Sequence, residues 1–167
     1  MKTLLKLSLA ATAVITAFGA QAQEFPSKDK TVTLVVPYAA GGPTDRVARD
    51  LAEALRKPLG VSVVVDNAAG AGSTIGTAKA ARATPDGYTL LLNHISMSTM
   101  PTMYRKLAFN VVNDFEYLGI INDVPMTLIA KPSMAANNYK ELSTWINQNK
   151  GKINLGNAGQ GSASHLC

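Results

Sequence analysis

The 167-residue chain has a single cysteine, Cys167, and only two histidines, His94 and His165. A lone thiol cannot close a disulfide within its own chain, so packing has to supply the stability. The two histidines lie far apart, and neither has an acid three or four residues away, so they make no metal-ligand set. Lysines and arginines outnumber acids by five, but they are scattered, and no basic run interleaved with aromatics points to nucleic acid. Beyond the first twenty residues no long uninterrupted apolar stretch suggests a membrane span. No lysine follows any glycine-rich turn in the way a nucleotide P-loop requires, and no cofactor is implied.

What is present begins with an export signal. Lys2 and Lys6 form a positive start, Leu7 to Phe18 a short apolar run, and Ala20-Gln21-Ala22 a small-residue cleavage site, which predicts a cut after Ala22. The apolar run is too short to cross roughly 30 Å of hydrocarbon as a helix. Removing it takes two lysines and leaves 145 residues with a formal charge of +3 instead of +5. That length suffices for one domain with a real core. The expected location is the periplasm.

From Thr31 onward, short β-branched runs alternate with helical periodicity, as in βαβ units on a mostly parallel sheet. Strands are expected at Thr31–Val36, Val61–Val65 and Tyr88–Leu92, the last being the most apolar and therefore expected at the centre. Helices are expected at Thr44–Arg56, ended by Pro58 and Gly60, and at Thr74–Ala83. The first has an apolar stripe of Val47, Ala48, Leu51, Ala52 and Leu55, with Asp45–Arg49 and Glu53–Lys57 spaced as i, i+4 pairs. A loop around Pro101 and a helical turn at Tyr104–Leu107 follow. Further strands are expected at Phe115–Ile121, Met126–Ala130 and Lys152–Leu155, with a helix between Lys140 and Asn149 in which Trp145 packs into the core. Asn122-Asp123-Val124-Pro125 interrupts the strand pattern where a chain can pass between lobes. The chain stops one turn into a helix beginning near Ser162, an ending that reads as truncation.

Three glycine-rich turns then occupy equivalent places, each expected after a strand and before a helix: Ala39-Ala40-Gly41-Gly42-Pro43-Thr44, Gly70-Ala71-Gly72-Ser73-Thr74 and Ala158-Gly159-Gln160-Gly161-Ser162. In open α/β sheets this edge binds ligands. Glycine allows close backbone approach, and free amides at a helix start favour an anion. Each turn alone is equally well read as a tight connection; three at one edge favour an anion site. None carries Lys or Arg, the usual partners of phosphate. Neutral amides and the hydroxyls of Thr44, Ser73, Ser162 and Ser164 suit a carboxylate better.

Enzymatic readings fit poorly. Gly70 to Gly76 is G-x-G-x-x-x-G, one residue too long for a dinucleotide fingerprint, and it follows the second strand. There is no G-x-S-x-G elbow, and Ser162 and His165 share the start of one helix. His94, just past the third strand, is placed to line a cleft but has no assigned catalytic partner. No catalytic residue is assigned. The alternative kept open is an exported hydrolase whose catalytic residues lie in a missing C-terminal half.

The segments PYAAGGPTDRVAR, DNAAGAGSTIGTAKAARATPDGYTLLL and INLGNAGQGSASHL resemble those of the Bug family, the periplasmic receptors of tripartite tricarboxylate transporters. The likeness runs from Phe25 to Cys167. It implies a two-lobed periplasmic binding protein of the type II-like α/β class, non-enzymatic and monomeric. Such a receptor captures a small carboxylate (di- or tricarboxylate, or amino acid) and delivers it to membrane permease subunits. The domains would be a signal over 1–22, an incomplete first lobe over 23–123 whose return segment is missing, and the start of a second lobe over 124–167. The implied ligand-binding residues are Tyr38, Ala39, Ala40, Gly41, Gly42, Thr44 and Asp45 in the first loop, Gly72 and Ser73 in the second, and His94 and Ser96 at the cleft border. Ala158, Gly159, Gly161, Ser162 and Ser164 form the opposite jaw. For Asp45 a helix-capping role is favoured. Ala68-Ala69 stands where relatives often have arginine and proline, a departure in how the second loop is held.

Overall fold

The computed structural model describes residues 25–123, 125–157 and 160–166. The expected signal over 1–22, Ala158, Gly159 and Cys167 lie outside them. The described architecture is an α/β layer built on a three-stranded parallel sheet: β1 (Val32–Val36), β2 (Val63–Asn67) and β3 (Thr89–Leu91), in the order β2-β1-β3. Leu34 pairs with Val65 on one side and Leu90 on the other.

The expectation that the third strand is central is corrected. After β1 the chain crosses to β2 on one side, then returns past β1 to place β3 on the other, so the first strand ends up between its partners. β1 is almost wholly buried, while all three residues of β3 are half-buried. Its apolarity reflects packing against the helices, since Leu90 and Leu92 contact the core clusters from the edge.

Helix α1 (Pro43–Leu59) lays its stripe on one sheet face: Ala48 packs with Leu34 and Val36, and Ala52 with Val32, Val61 and Val63. Pro43 opens the helix, where a missing N–H costs nothing. The helix runs through Pro58 instead of ending before it, because its last turn is closed by Gly60, left-handed at φ 66°, whose N–H donates to Arg56 O. Asp45 pairs with Arg49 as spaced, whereas Glu53 turns to Arg56 rather than Lys57.

A single 3-10 turn (Ala71–Ser73) leads into α2 (Thr74–Ala81). Gly76 sits where α2 meets the end of β1: a Cβ there would lie 2.6 Å from Ala68 O and 2.8 Å from Pro37. Helix α3 spans Ser96–Met103 and contains Pro101, so the helical segment lies ahead of the expected turn at Tyr104–Leu107. One proline removes one backbone donor, and Met100, Phe109 and Ala78 supply a buried cluster that holds the helix.

The expected strands at Phe115–Ile121, Met126–Ala130 and Lys152–Leu155 are not formed among the described residues. Leu118, Ile120, Leu128, Ile129 and Leu155 are exposed. A strand needs a ladder partner for its N–H and C=O groups, and no described segment pairs with these. Consequently the third glycine loop does not follow a strand. Helix α4 (Tyr139–Gln148) is well capped, Asn138 Oδ1 accepting from the Glu141 amide at 3.0 Å, yet buries no residue. Trp145 is only half-buried, which corrects its assignment to a core. A last turn, α5 (Ala163–Leu166), follows the third loop. Among the described residues no helix is long and apolar enough to cross a membrane.

Candidate functional site

The order β2-β1-β3 reverses direction between β1 and β3, and in open α/β sheets a crevice opens at the carboxyl ends of strands at such a reversal. The loop after β1 carries Tyr38 and the loop after β3 carries Asn93 and His94, so topology alone brings them together. Tyr38 stacks on His94 with ring centroids 4.2 Å apart and planes 12° from parallel. Its hydroxyl donates to Asn93 Oδ1 at 2.7 Å and lies 2.5 Å from Ser96 Oγ and 3.2 Å from His94 Nδ1.

The second loop joins the same network. Ser96 Oγ is 3.0 Å from Ser73 Oγ, and Asn93 Nδ2 donates to Thr77 Oγ1 at 3.0 Å, which in turn donates to Ser73 O at 2.9 Å. Ser73, Thr77 and Ser96 are all buried. Ser73 takes a positive φ of 77°, a conformation that costs a non-glycine residue energy and that this hydrogen-bonded surrounding maintains. Three strand ends are thus tied by one polar cluster whose buried side-chain atoms all have partners among the described residues. Burial raises the Tyr38 pKa and lowers that of His94, so both are held neutral at pH 7.

Asp45 organises the first loop. Its buried carboxylate accepts from Gly41 N (2.8 Å), Arg49 Nε (2.9 Å) and Asn67 Nδ2 (3.0 Å). The Arg49 hydrogen bond, followed by the Gly41 amide, lowers its pKa to about 2. Asn67 Nδ2 also reaches Tyr38 O at 3.2 Å. The Gly41 amide and the Arg49 charge are therefore both engaged inside the protein. At the start of α1, the N–H groups of Thr44 and Asp45 have no intrahelical acceptor. Ala39, Ala40 and Gly41 are exposed, and Gly42 and Thr44 half-buried.

The third loop comes to α3 and to the second loop. Thr99 Oγ1 donates to Gly161 O at 2.9 Å and Tyr104 Oη to Gln160 O at 3.2 Å. Gly72 lies so close to Gln160 that a Cβ on it would sit 2.6 Å from the Gln160 carbonyl. Gly161 and Ser162 are buried there, with Ser162 Oγ 3.2 Å from Ser164 Oγ. His165 Nδ1 accepts from the Gly161 amide at 3.3 Å.

Sequence reasoning named Tyr38, Ser73, His94 and Ser96, and the structure brings these four together. It missed Asn93, Asn67, Thr77 and Arg49, which hold them. The available signal was an Asn at the carboxyl end of each of two apolar strands: Asn67 closes β2 and Asn93 follows Leu92 just past β3. A polar side chain at a strand's carboxyl end faces the neighbouring loops.

His94 also borders an open groove of about 560 Å³ whose other walls include Met97, Pro101, Val111, Val112 and Tyr117, with Val112 and Tyr117 73% and 67% exposed.

Residues 47–167 match the family model described as "Tripartite tricarboxylate transporter family receptor". Among solved structures, the chain is similar to the periplasmic binding protein BugD, with 52% identity and a TM-score of 0.80 over 84% of this chain and 47% of that one. It is similar to MatC (Rpa3494) from Rhodopseudomonas palustris with bound malate, at 34% identity and a TM-score of 0.77 over 83% and 47%. R. palustris Rpa4515 with adipate gives 30% and 0.80 over 86% and 48%. The chain thus spans about half the length of each. These likenesses establish a periplasmic-binding-protein fold of which the described sheet is a part, and the match over residues 47–167 places the chain in the tripartite tricarboxylate transporter receptor family.

Proposed function

We propose that this chain is the ligand-gripping part of a periplasmic solute receptor that captures a small carboxylate for a tripartite tricarboxylate-type permease. The observation that carries the reading is the cluster tying three strand-end loops at the sheet's reversal point through Tyr38, Asn93, Ser96 and Ser73. It fixes the backbone of the loops without a mobile charge among them. Arg49, beside the first loop, is paired with Asp45. Such a site offers uncharged donors, which hold a carboxylate in place of its water without demanding phosphate.

Within this reading the residues of the first lobe divide by whether their polar groups are already engaged inside the protein. Thr44 and the amides of Thr44 and Asp45, with His94, face the ligand; Tyr38, Asp45, Ser73 and Ser96 hold them. Gly159, Gly161, Ser162 and Ser164 supply the opposing jaw. Residues 23–123 form the first lobe and 124–167 the start of the second. Residues 1–22 direct the chain to the periplasm, and the receptor acts as a monomer. The ligand is a di- or tricarboxylate, or an amino acid, and malate and adipate in the neighbouring structures support the small-carboxylate part of this reading.

A thermal-shift screen of the full chain against dicarboxylates, tricarboxylates and amino acids tests the reading. A ligand that binds only the folded form raises the melting temperature by mass action. Stabilisation without turnover is the expected result. Hydrolysis of an ester or amide substrate, as an exported hydrolase would show, overturns it.

A further inference from the structure

Resting on the carboxylate-receptor reading, we infer that His94 is a specificity-determining residue. Its neutral ring presents Nε2–H to an anionic oxygen of a ligand whose apolar carbons occupy the groove beyond it.

The tautomer follows from the groups around Nδ1. The backbone N–H of Ser96, 3.5 Å from Nδ1, can only donate, and the Tyr38 hydroxyl lies 3.2 Å from the same atom. The Tyr38 proton goes to Asn93 Oδ1, so the Ser96 N–H is what sets the tautomer: it needs a lone pair on Nδ1, which puts the ring's proton on Nε2. Stacking against Tyr38 fixes the ring plane. Among the described residues Nε2 has no hydrogen-bond partner. With Nδ1 engaged in the cluster, Nε2 is the ring nitrogen left for a ligand in the groove that His94 lines. Burial lowers the ring's pKa and keeps it in this neutral form.

The protons of the groove's two hydroxyls are already committed. Ser98 Oγ donates to Ile95 O at 2.8 Å and Tyr117 Oη to Val111 O at 2.7 Å. What remains is a wall of Met97, Pro101, Val111 and Val112 with one N–H donor at its edge. A small hydroxylated ligand leaves its hydroxyls unpaired against such a wall, at a cost. A carboxylate carrying several methylenes covers one side of them there favourably.

Glutamine and asparagine substitutions separate the two ring nitrogens. Gln places an amide N–H near the position of Nε2, and Asn near that of Nδ1. In calorimetric titrations of the full chain with adipate, His94→Gln is expected to stay within about threefold of the wild-type Kd, and His94→Asn to weaken binding by about tenfold or more. Adipate is expected to bind more tightly than malonate, which lacks the carbons to fill the groove. ¹⁵N-detected spectra of the wild-type ring should show the Nε2–H tautomer and a shift of Nε2 on adding adipate; this needs no substitution, so it decides even if both variants misfold. An Nδ1–H tautomer, equal Kd values for the two variants, or malonate binding as tightly as adipate overturns the assignment while carboxylate capture stands. A wild-type chain that binds neither acid at millimolar concentration also overturns the assignment, and one stabilised by no dicarboxylate, tricarboxylate or amino acid overturns both readings.

Discussion

Val35 and Val36 of β1 are 1% and 0% exposed, whereas Ile120 and Ile129, in segments of the same aliphatic and β-branched character, are 94% and 88% exposed. Over residues 25–115 each apolar run meets a partner: β1 lies between two strands, α1 covers one face, and α2 and α3 close over Met100 and Phe109. Among the described residues of 116–157 similar runs form no strand, and an amphipathic helix has no fully buried residue. Patterning sets what a segment is able to become; a partner within reach decides whether it does. The largest contrast should appear in amide exchange. Backbone amides of Leu34 to Val36 are expected to exchange about a thousandfold or more slowly than those of Leu118 to Ile121 and Leu128 to Ala130, because local opening of unpaired segments costs almost nothing. Comparable protection in the two regions would mean that the second is paired in solution, and the comparison would fail.

Substitutions sharpen the same contrast inside the first region. Leu34→Ala, at a 2% exposed position between β2, β3 and α1, should cost about 2–5 kcal/mol in denaturant melts. Gly76→Ala should also destabilise, by about 1–3 kcal/mol, although alanine is the better helix former. Its Cβ would meet the Ala68 carbonyl and Pro37, both parts of the backbone framework rather than flexible side-chain ends. A neutral or stabilising Gly76→Ala would show that α2 can move off the end of β1, and that the second loop is less firmly held than its hydrogen bonds indicate.

The same distinction explains what could be read from the sequence. The βαβαβ order, the α1 stripe and the placement of two glycine loops at strand ends follow from local periodicity and turn chemistry, and they appear as expected. The centre of the sheet did not follow from apolarity, because strand order is set by the direction of each crossover. Helix α3 was displaced because Pro101 reads locally as a breaker, while the burial of Met100 that outweighs it is a long-range contact. Tyr38 and His94 were legible as loop residues beside strands. Asn93, Asn67 and Arg49 were not, because holding a loop in place leaves no motif; it is visible only when donors and acceptors from different strands are brought together.

The polar cluster of the first region should give its stability a distinct pH profile. His94 has a folded pKa below the ordinary 6.5, so the unfolded chain binds its proton first. Its contribution is fully present above pH 6.5 and is lost as pH falls below that value. Asp45 has a folded pKa of about 2 against an ordinary 3.8, so its contribution is present above 3.8 and lost as pH falls from there towards 2. Urea melts across pH 2.5 to 8 should therefore show two successive declines on the acid side. His94→Gln should remove the upper one, and Asp45→Asn should shrink the lower one to the part contributed by Glu141, whose pKa is lowered by the Asn137 amide and the Asn138 side chain. An unchanged upper decline in His94→Gln would assign it to a group outside the cluster.

The smallest expected effect lies in the second region and is the most direct test of its character. Ile120→Lys replaces an aliphatic side chain that is 94% exposed, so no apolar burial is lost and no charge is desolvated. The change in unfolding free energy should stay within about 0.5 kcal/mol, the range of ordinary surface substitutions. Placing lysine at Val36, in a strand of the same aliphatic character, would bury an unpaired ammonium between the sheet and α1 and should abolish cooperative folding. If Ile120→Lys instead destabilises the chain by more than about 2 kcal/mol, the isoleucine is covered in solution. The two regions would then differ in which surface covers them, and no longer in whether they are covered at all.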